Sequence, residues 1–149
     1  MVSIPGMIAV SGIDHVYISV SELERSEVFY DRVMVGILGF RKSRFQLDGL
    51  EHIQYYNRHF GYVLRASLKS TQCNFDAPGL HHFCMRVESV NDVVEVARQL
   101  RAAGIAASEA THYPEYAPDY WASYFSDPDG IRLEITNYRM ERRVRHDNW

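Results

Sequence analysis

A near repeat is the feature that most constrains how this chain can fold. Residues 79–87 (GLHHFCMRV) match residues 12–20 (GIDHVYISV) at a constant offset of 67 positions. Both stretches fit the pattern glycine, aliphatic, any residue, histidine, apolar, any residue, apolar, any residue, valine. Because stacked repeat proteins need at least three copies to bury a continuous core, two copies favour a duplicated module within one domain.

Each copy also alternates in the way that a half-buried β-strand requires, with successive side chains on opposite faces. In the first copy Val16, Ile18 and Val20 share the apolar face, and the second copy repeats this pattern. His15 and His82 therefore occupy equivalent places on the polar faces. A single histidine of this kind can be a hydrogen-bonded core residue, but that explanation has to hold twice here, which favours a shared role.

The segments after each copy follow the same plan. Residues 21–24 (SELE) and 89–92 (SVND) each fit a capping box at a helix start. Apolar spacing predicts a first helix to about Leu38, stopped by Gly39, and a second one ending near Gly104. Three short strands are predicted after each helix, over residues 40–46, 50–56 and 62–68 and over residues 105–111, 120–126 and 131–138.

The predicted fold class is therefore α+β, with two βαβββ modules over about residues 11–69 and 79–138. With 149 residues the chain fits one domain over residues 1–149, with a basic tail over residues 139–149. The net charge of −3 argues against nucleic acid as a partner. No apolar run has the length of a membrane span, and Cys73 and Cys84 have no CxxC spacing. We therefore expect a cytoplasmic protein with no membrane partner.

The last strand adds a carboxylate to the two histidines. Ile131, Leu133 and Ile135 share its apolar face, which leaves Glu134 on the polar face. A carboxylate in such a place is costly to desolvate unless it is paired or bound to a cation. Two histidines and a glutamate are the ligand types that hold a divalent ion and leave positions open for substrate.

The chain resembles the vicinal oxygen chelate superfamily, which includes glyoxalases, bleomycin-resistance proteins, extradiol dioxygenases and fosfomycin-resistance enzymes. The matching pieces are IDHVYISVSELERSEVFYDRVMVGILGF, GLHHFCMRV and YFSDPDGIRLEIT, within about residues 12–138. The resemblance implies curled mixed sheets that enclose a metal site, a small-molecule substrate chelated to the metal and a homodimer. It implies His15, His82 and Glu134 as the ligands, and Fe²⁺ or Mn²⁺ ahead of Zn²⁺, Ni²⁺ or Co²⁺.

Two further inferences come from motifs of that family. Many members carry a fourth ligand, a glutamate in the first module; counting from Gly61 places Arg65 there, which disfavours glyoxalase I chemistry. His81 is expected to point away from the ligand face. The end of the chain fits part of an extradiol dioxygenase signature, from Tyr124 through DPDG to Glu134. The catalytic histidine of that signature is missing from its expected place, and His112 is the nearest candidate for an acid–base role.

Other polar and aromatic residues complete the candidate site. Tyr124 can donate a hydrogen bond or a proton to a substrate oxyanion, or simply pack its ring. Three arginines fall on polar faces by alternation and either recognise an anionic group or pair with acidic neighbours: Arg65, Arg86 and Arg132. Tyr113 and Tyr116 are expected to line the pocket. The reading closest to extradiol dioxygenase chemistry stands beside a glyoxalase-like lyase or isomerase, a fosfomycin-type transferase, and a metal-free drug-binding protein.

Overall fold

The computed structural model describes residue 6 and residues 8–138, so the predicted basic tail lies outside the described residues. Two four-stranded mixed sheets account for the strands, and each sheet is built from one copy of the repeat. Within the described residues, the two sheets do not join into one closed sheet. The predicted α+β architecture with two βαβββ modules is confirmed.

The first module forms the first sheet. Its elements are β1 (His15–Val20), α1 (Leu23–Tyr30), a π-helical segment (Asp31–Ile37), β2 (Arg41–Leu47), β3 (Leu50–Tyr56) and β4 (Gly61–Ala66). β1 pairs in parallel with β4, and β3 pairs antiparallel with both β4 and β2. Asp48 and Gly49 connect β2 to β3 with positive φ angles of 54° and 74°, as a two-residue hairpin turn requires.

The second module forms the second sheet in the same strand order. Its elements are β5 (Phe83–Arg86), α2 (Val90–Ala102), β6 (Thr111–His112), β7 (Trp121–Ser126) and β8 (Arg132–Thr136). The predicted strand over residues 105–111 is wrong, because only Thr111 and His112 enter the ladder. At Ser108 the side-chain oxygen, rather than the backbone carbonyl, accepts the Tyr124 N–H at 2.9 Å, which interrupts regular pairing.

The two predicted capping boxes differ in outcome. Ser89 caps α2 as expected, since its hydroxyl accepts the N–H of Asp92 at 3.1 Å. The first box is wrong: the N-cap of α1 is Glu22, without a side-chain cap, and the Ser21 hydroxyl binds the carboxylate of Asp129 in the other module. None of the helices within the described part of the chain has the length and apolarity that a membrane crossing requires.

The two modules share one hydrophobic core. Apolar residues from the backs of both sheets join it, among them Ile53 and Leu64 from the first sheet and Leu133 and Ile135 from the second. Polar contacts also cross the junction, where the buried hydroxyl of Tyr30 donates to Asp127. The opposite face of each sheet, which we call its front, lies outside this core. His15 lies on the first front, and Glu134 lies on the second.

Candidate functional site

His82 and Glu134 meet on the front of the second sheet. β5 and β8 are parallel neighbours, and their register places Cys84 opposite Glu134. His82 immediately precedes β5, and its Nε2 lies 3.1 Å from Oε2 of Glu134. The Glu134 side chain is only 2% exposed, whereas that of His82 is 39% exposed. A buried carboxylate is thus held beside an imidazole that solvent can reach.

Tyr120 is hydrogen-bonded to the other carboxylate oxygen of Glu134. Its hydroxyl donates to Oε1, and burial together with this hydrogen bond raises the pKa of Tyr120 well above its usual range. Burial and the charge of Glu134 raise the pKa of Tyr124 in the same direction. Both phenols therefore keep their protons at neutral pH and act as donors. Sequence reasoning missed Tyr120, although alternation along the predicted strand over residues 120–126 would place residues 120 and 124 on one face.

These groups line a cavity of about 520 Å³. One part of its wall is aromatic and consists of Tyr113, Tyr116, Tyr120 and Tyr124. The other part is basic and acidic, and consists of His81, His82, Arg132 and Glu134. The structure therefore gathers at one cavity six of the residues singled out from the sequence, with Tyr120 and His81 in addition.

His81 was expected to point away from the ligand face, and that expectation is wrong. Its Nδ1 lies 2.8 Å from Nδ1 of His82, and both side chains line the cavity. The physical reason is that β5 begins at Phe83, so strand alternation does not govern the two residues before it.

His15 lies on the front of the first sheet. Its Nδ1 is 2.6 Å from Oδ1 of Asp14, and its side chain is 52% exposed. Among the residues that the structure describes, no group of three or more His, Cys, Asp and Glu side chains is close enough to hold one metal ion. The chain thus brings His82 and Glu134 together but does not add His15 to them.

His112 lies apart from this cavity. Its ring stacks on Trp121 at 5.1 Å between centroids, and its Nε2 is 2.6 Å from the carbonyl oxygen of Pro118. Register pairs His112 with Trp121, which is an odd number of residues from Tyr124 on β7. His112 and Tyr124 therefore project to opposite faces of the second sheet.

Two of the predicted arginines, Arg65 and Arg86, are not among the residues that line this cavity. Arg65 is half-buried on β4, and its Nε donates to the carbonyl oxygen of Ala66 at 3.3 Å. Arg86 is exposed at the end of β5, opposite Thr136.

The register corrects the position assigned to the fourth ligand. Tyr17 is 67 residues before Cys84, and it lies opposite Val63, just as Cys84 lies opposite Glu134. Val63, not Arg65, is therefore the equivalent of Glu134. Counting from the glycines failed because Gly61 begins β4, whereas Gly130 lies in the turn two residues before β8. Neither Val63 nor Arg65 is a carboxylate, so the first module still lacks the second glutamate ligand at this place.

The pair of His82 and Glu134 fits part of a divalent-metal site. Two donors bound at about 2.1 Å from one ion and at right angles to each other lie about 3.0 Å apart. The separation of 3.1 Å between Nε2 and Oε2 matches this spacing. These two side chains could therefore fill two neighbouring positions around an ion, while further ligands would come from elsewhere.

Comparisons with known proteins agree with the fold. The model of the Glyoxalase/Bleomycin resistance protein/Dioxygenase superfamily matches residues 12–135. A glyoxylase/bleomycin resistance protein/dioxygenase domain from a Frankia species is 25% identical, with a TM-score of 0.72, over 88% of this chain and all of that one. No curated protein matches the chain.

Two further solved structures are similar at lower identity. A lactoylglutathione lyase from Agrobacterium tumefaciens is 20% identical, with a TM-score of 0.64, over 86% of this chain and 94% of that one. The fosfomycin resistance protein FosX from Listeria monocytogenes is 14% identical, with a TM-score of 0.65, over 91% of this chain and 99% of that one. At these identities the likeness concerns the fold alone.

Proposed function

The chain belongs to the Glyoxalase/Bleomycin resistance protein/Dioxygenase superfamily, and from that premise we propose that it is a divalent-metal-dependent enzyme acting on a small oxygenated substrate. Members of this superfamily generally use divalent metal ions. The observation that carries the proposal is the approach of His82 Nε2 to Glu134 Oε2 at 3.1 Å, with the carboxylate almost fully buried. Burying a carboxylate is costly unless a cation or hydrogen bonds compensate it.

The third ligand of the proposed site is His15, supplied by a second copy of the chain. The backs of both sheets join one core, so each chain presents His15 on one front and the His82–Glu134 pair on the other. In a two-fold symmetric dimer the same two patches meet twice, which would complete two identical sites. This arrangement accounts for an exposed His15 that, among the described residues of its own chain, belongs to no group of three potential ligands.

A divalent ion held by these three side chains would supply Lewis acidity toward substrate oxygens and keep positions open for them. The chain's own groups would do the rest. Tyr120 holds Oε1 of Glu134, which fixes the orientation of the carboxylate. Tyr124 keeps its proton, because burial and the charge of Glu134 raise its pKa, and it can donate to an oxyanion that develops on the substrate.

Among reactions, we place extradiol-dioxygenase-type chemistry first, with Fe²⁺ or Mn²⁺ as the ion. Two histidines and one carboxylate form the ligand set of non-haem iron oxygenases. Glyoxalase I chemistry is disfavoured because Val63 stands where a second carboxylate ligand would be needed. A glyoxalase-like lyase or isomerase and a fosfomycin-type transferase are the alternatives. Oxygen uptake with catechols, compared with turnover of a hemithioacetal, separates these reactions.

A metal-free binding protein of the bleomycin-resistance type is the second candidate function. The observation in its favour is the cavity of about 520 Å³ with four tyrosines in its wall, which suits a flat aromatic ligand. Retention of all three ligand types favours the enzyme. Metal analysis of the purified protein decides between the two.

The sharpest test mixes two defective variants, His15→Ala and His82→Ala. Each variant alone should bind little Mn²⁺, as measured by electron paramagnetic resonance. If sites are shared, a heterodimer contains one intact site, because each chain supplies what its partner lacks. Random re-pairing should then restore about a quarter of the wild-type metal content, since half of the dimers are mixed and each holds one site of two.

Two controls complete the experiment. A mixture of His82→Ala and Glu134→Gln should restore nothing, because both changes remove ligands from the same half-site. Wild-type protein that binds no Mn²⁺, Fe²⁺, Zn²⁺, Ni²⁺ or Co²⁺ would overturn the enzyme proposal. Full metal binding by the single variants, or no recovery in the first mixture, would overturn the shared site.

A further inference from the structure

Arg132 lines the cavity, and no other described residue offers an acceptor for its guanidinium. It lies on β8 two residues before Glu134, so both side chains share the front of the second sheet. The residue is half-buried and lines the cavity. Its guanidinium carbon lies 4.2 Å from the centroid of the Phe75 ring, and among the residues that the structure describes no carboxylate or carbonyl oxygen accepts its N–H groups.

Several other arginines of the chain are paired with carboxylates. Arg25 binds Asp129, Arg44 binds Glu27 and Glu51, and the arginines of α2 also pair with carboxylates. Arg132 differs because it is partly removed from water, while its donors have no acceptor among the described residues. An arginine presents five N–H donors in a planar fork, and leaving such donors unpaired away from water costs free energy.

Glu134 is not available to neutralise Arg132. Oε1 accepts the hydroxyl of Tyr120, and Oε2 faces Nε2 of His82. Both carboxylate oxygens are therefore engaged within the proposed metal half-site. A positive charge remains on the wall of the cavity beside that half-site.

The ring of Phe75 packs against the flat face of the Arg132 guanidinium. Phe75 comes from the segment between the two modules, and the ring of His81 packs edge-on against it at 5.6 Å between centroids. Stacking on an aromatic ring covers one face of a guanidinium but leaves the in-plane N–H groups free. Those free donors have the geometry that matches the two oxygens of a carboxylate or of a phosphonate.

We propose that Arg132 binds an oxyanion group of the substrate, a carboxylate or a phosphonate, and that Phe75 is the positioning residue that holds the guanidinium. The tyrosines that line the same cavity give this subsite an aromatic wall, so the substrate class is a small aromatic or otherwise unsaturated acid. The inference rests on the cavity assigned in the proposed function and specifies what that cavity takes. Binding of the anion itself requires no metal ion.

The test uses metal-free full-length protein and fluorine NMR. The probes are 4-fluorobenzoate, 4-fluorophenylphosphonate and the neutral 4-fluorobenzamide. Wild-type protein should bind one or both anions at least about tenfold more tightly than the amide, as expected for a charge-assisted hydrogen-bonded pair. Arg132→Gln should remove that preference, whereas Arg98→Gln, an equal change of charge on the outer face of α2, should leave it unchanged.

Two more variants separate charge from geometry. Arg132→Lys keeps the charge but loses the planar fork, so it should recover only part of the preference, and it replaces the glutamine variant if that one fails to fold. Phe75→Leu should weaken anion binding several-fold without changing metal content. Binding of both anions no tighter than that of the amide by the wild type, or an unchanged anion preference in Arg132→Gln, would overturn the proposal.

The result is also distinct from a failure of the proposed metal site. Anion preference in a protein that binds no metal would retain the subsite and remove the enzyme. Normal metal content without an anion preference would retain the proposed metal site and remove the Arg132 subsite.

Discussion

The contact that joins the two modules gives a quantitative prediction. Tyr30 is fully buried, and its hydroxyl donates to Oδ2 of Asp127 at 2.8 Å. Oδ1 of Asp127 accepts the backbone N–H groups of Asp129 and Ile131, both at 2.9 Å. Tyr30→Phe therefore leaves Oδ2 without this donor inside the core. For a hydrogen bond to a charged group, we expect a loss of about 1.5–3 kcal/mol in the free energy of unfolding at neutral pH.

The penalty should shrink as the pH falls. Burial raises the pKa of Asp127 above its ordinary value, and the hydrogen bond from Tyr30 acts in the opposite direction. A carboxyl group whose pKa is raised by folding binds a proton more tightly in the folded state than in the unfolded state. Its contribution to stability therefore falls as the pH rises through the folded pKa. Without the Tyr30 hydroxyl the folded pKa is higher still. As the pH rises from the folded pKa of Asp127 in the wild type to the higher one in Tyr30→Phe, the variant loses stability relative to the wild type. Below that range the two proteins differ less.

Tyr62→Phe is the matched control. Tyr62 is equally buried, and its hydroxyl is hydrogen-bonded to that of Tyr30 at 3.0 Å, whereas Asp127 is bonded to Tyr30. It should lose about 0.5–1.5 kcal/mol, as for a neutral hydrogen bond, with little dependence on pH. The assay is urea unfolding at pH 7.5 and about pH 5, at one protein concentration because dimer formation would couple to stability. Equal losses for both variants at both pH values would refute the reasoning.

Two other changes test the local chemistry of the helices and of the charged edge of the first sheet. Ser89→Ala removes the hydroxyl that accepts the Asp92 N–H and should lower the free energy of unfolding by about 1 kcal/mol in the same urea assay; an unchanged midpoint would contradict the cap. Burial raises the pKa of Glu27, but its bonds to Lys42 and Arg44 outweigh this and lower the pKa overall. The stability that Glu27 contributes is therefore present above the ordinary glutamate pKa and lost as the pH falls through the folded one. Glu27→Gln should flatten the acid side of the stability–pH curve, and a curve parallel to that of the wild type would contradict this.

The repeat predicted more of the fold than any single motif did. An offset of 67 residues fixed the order of elements in both modules, and alternation placed Glu134 on a polar face. Parallel pairing of a module's first and last strands then brings His82 to Glu134, because both belong to one sheet. Relations of this kind are local to a module, and periodicity in the sequence is enough to find them.

Position along a strand was harder to predict than the face. Arg65 and Val63 differ by two residues, so they share a face, yet only Val63 lies where Glu134 has its equivalent. The turns before β4 and β8 differ in length, and a count from a glycine carries that difference into the strand. The capping box predicted at Ser21 was wrong for a related reason, because the Ser21 hydroxyl bonds instead to Asp129, 108 residues away. Local patterns do not report such distant competitors.

The orientation of the front of one sheet relative to the front of the other is set by the junction between the modules, and no periodicity in the sequence encodes it. Tyr30 of the first module reaches Asp127 of the second, and back-face residues of both sheets share one core. That junction keeps His15 out of any metal-binding group with His82 and Glu134 among the described residues of one chain. If all three are ligands of one ion, the third must therefore arrive on another copy. The Tyr30–Asp127 contact would then act on metal binding indirectly, by fixing the angle at which each chain presents its two half-sites.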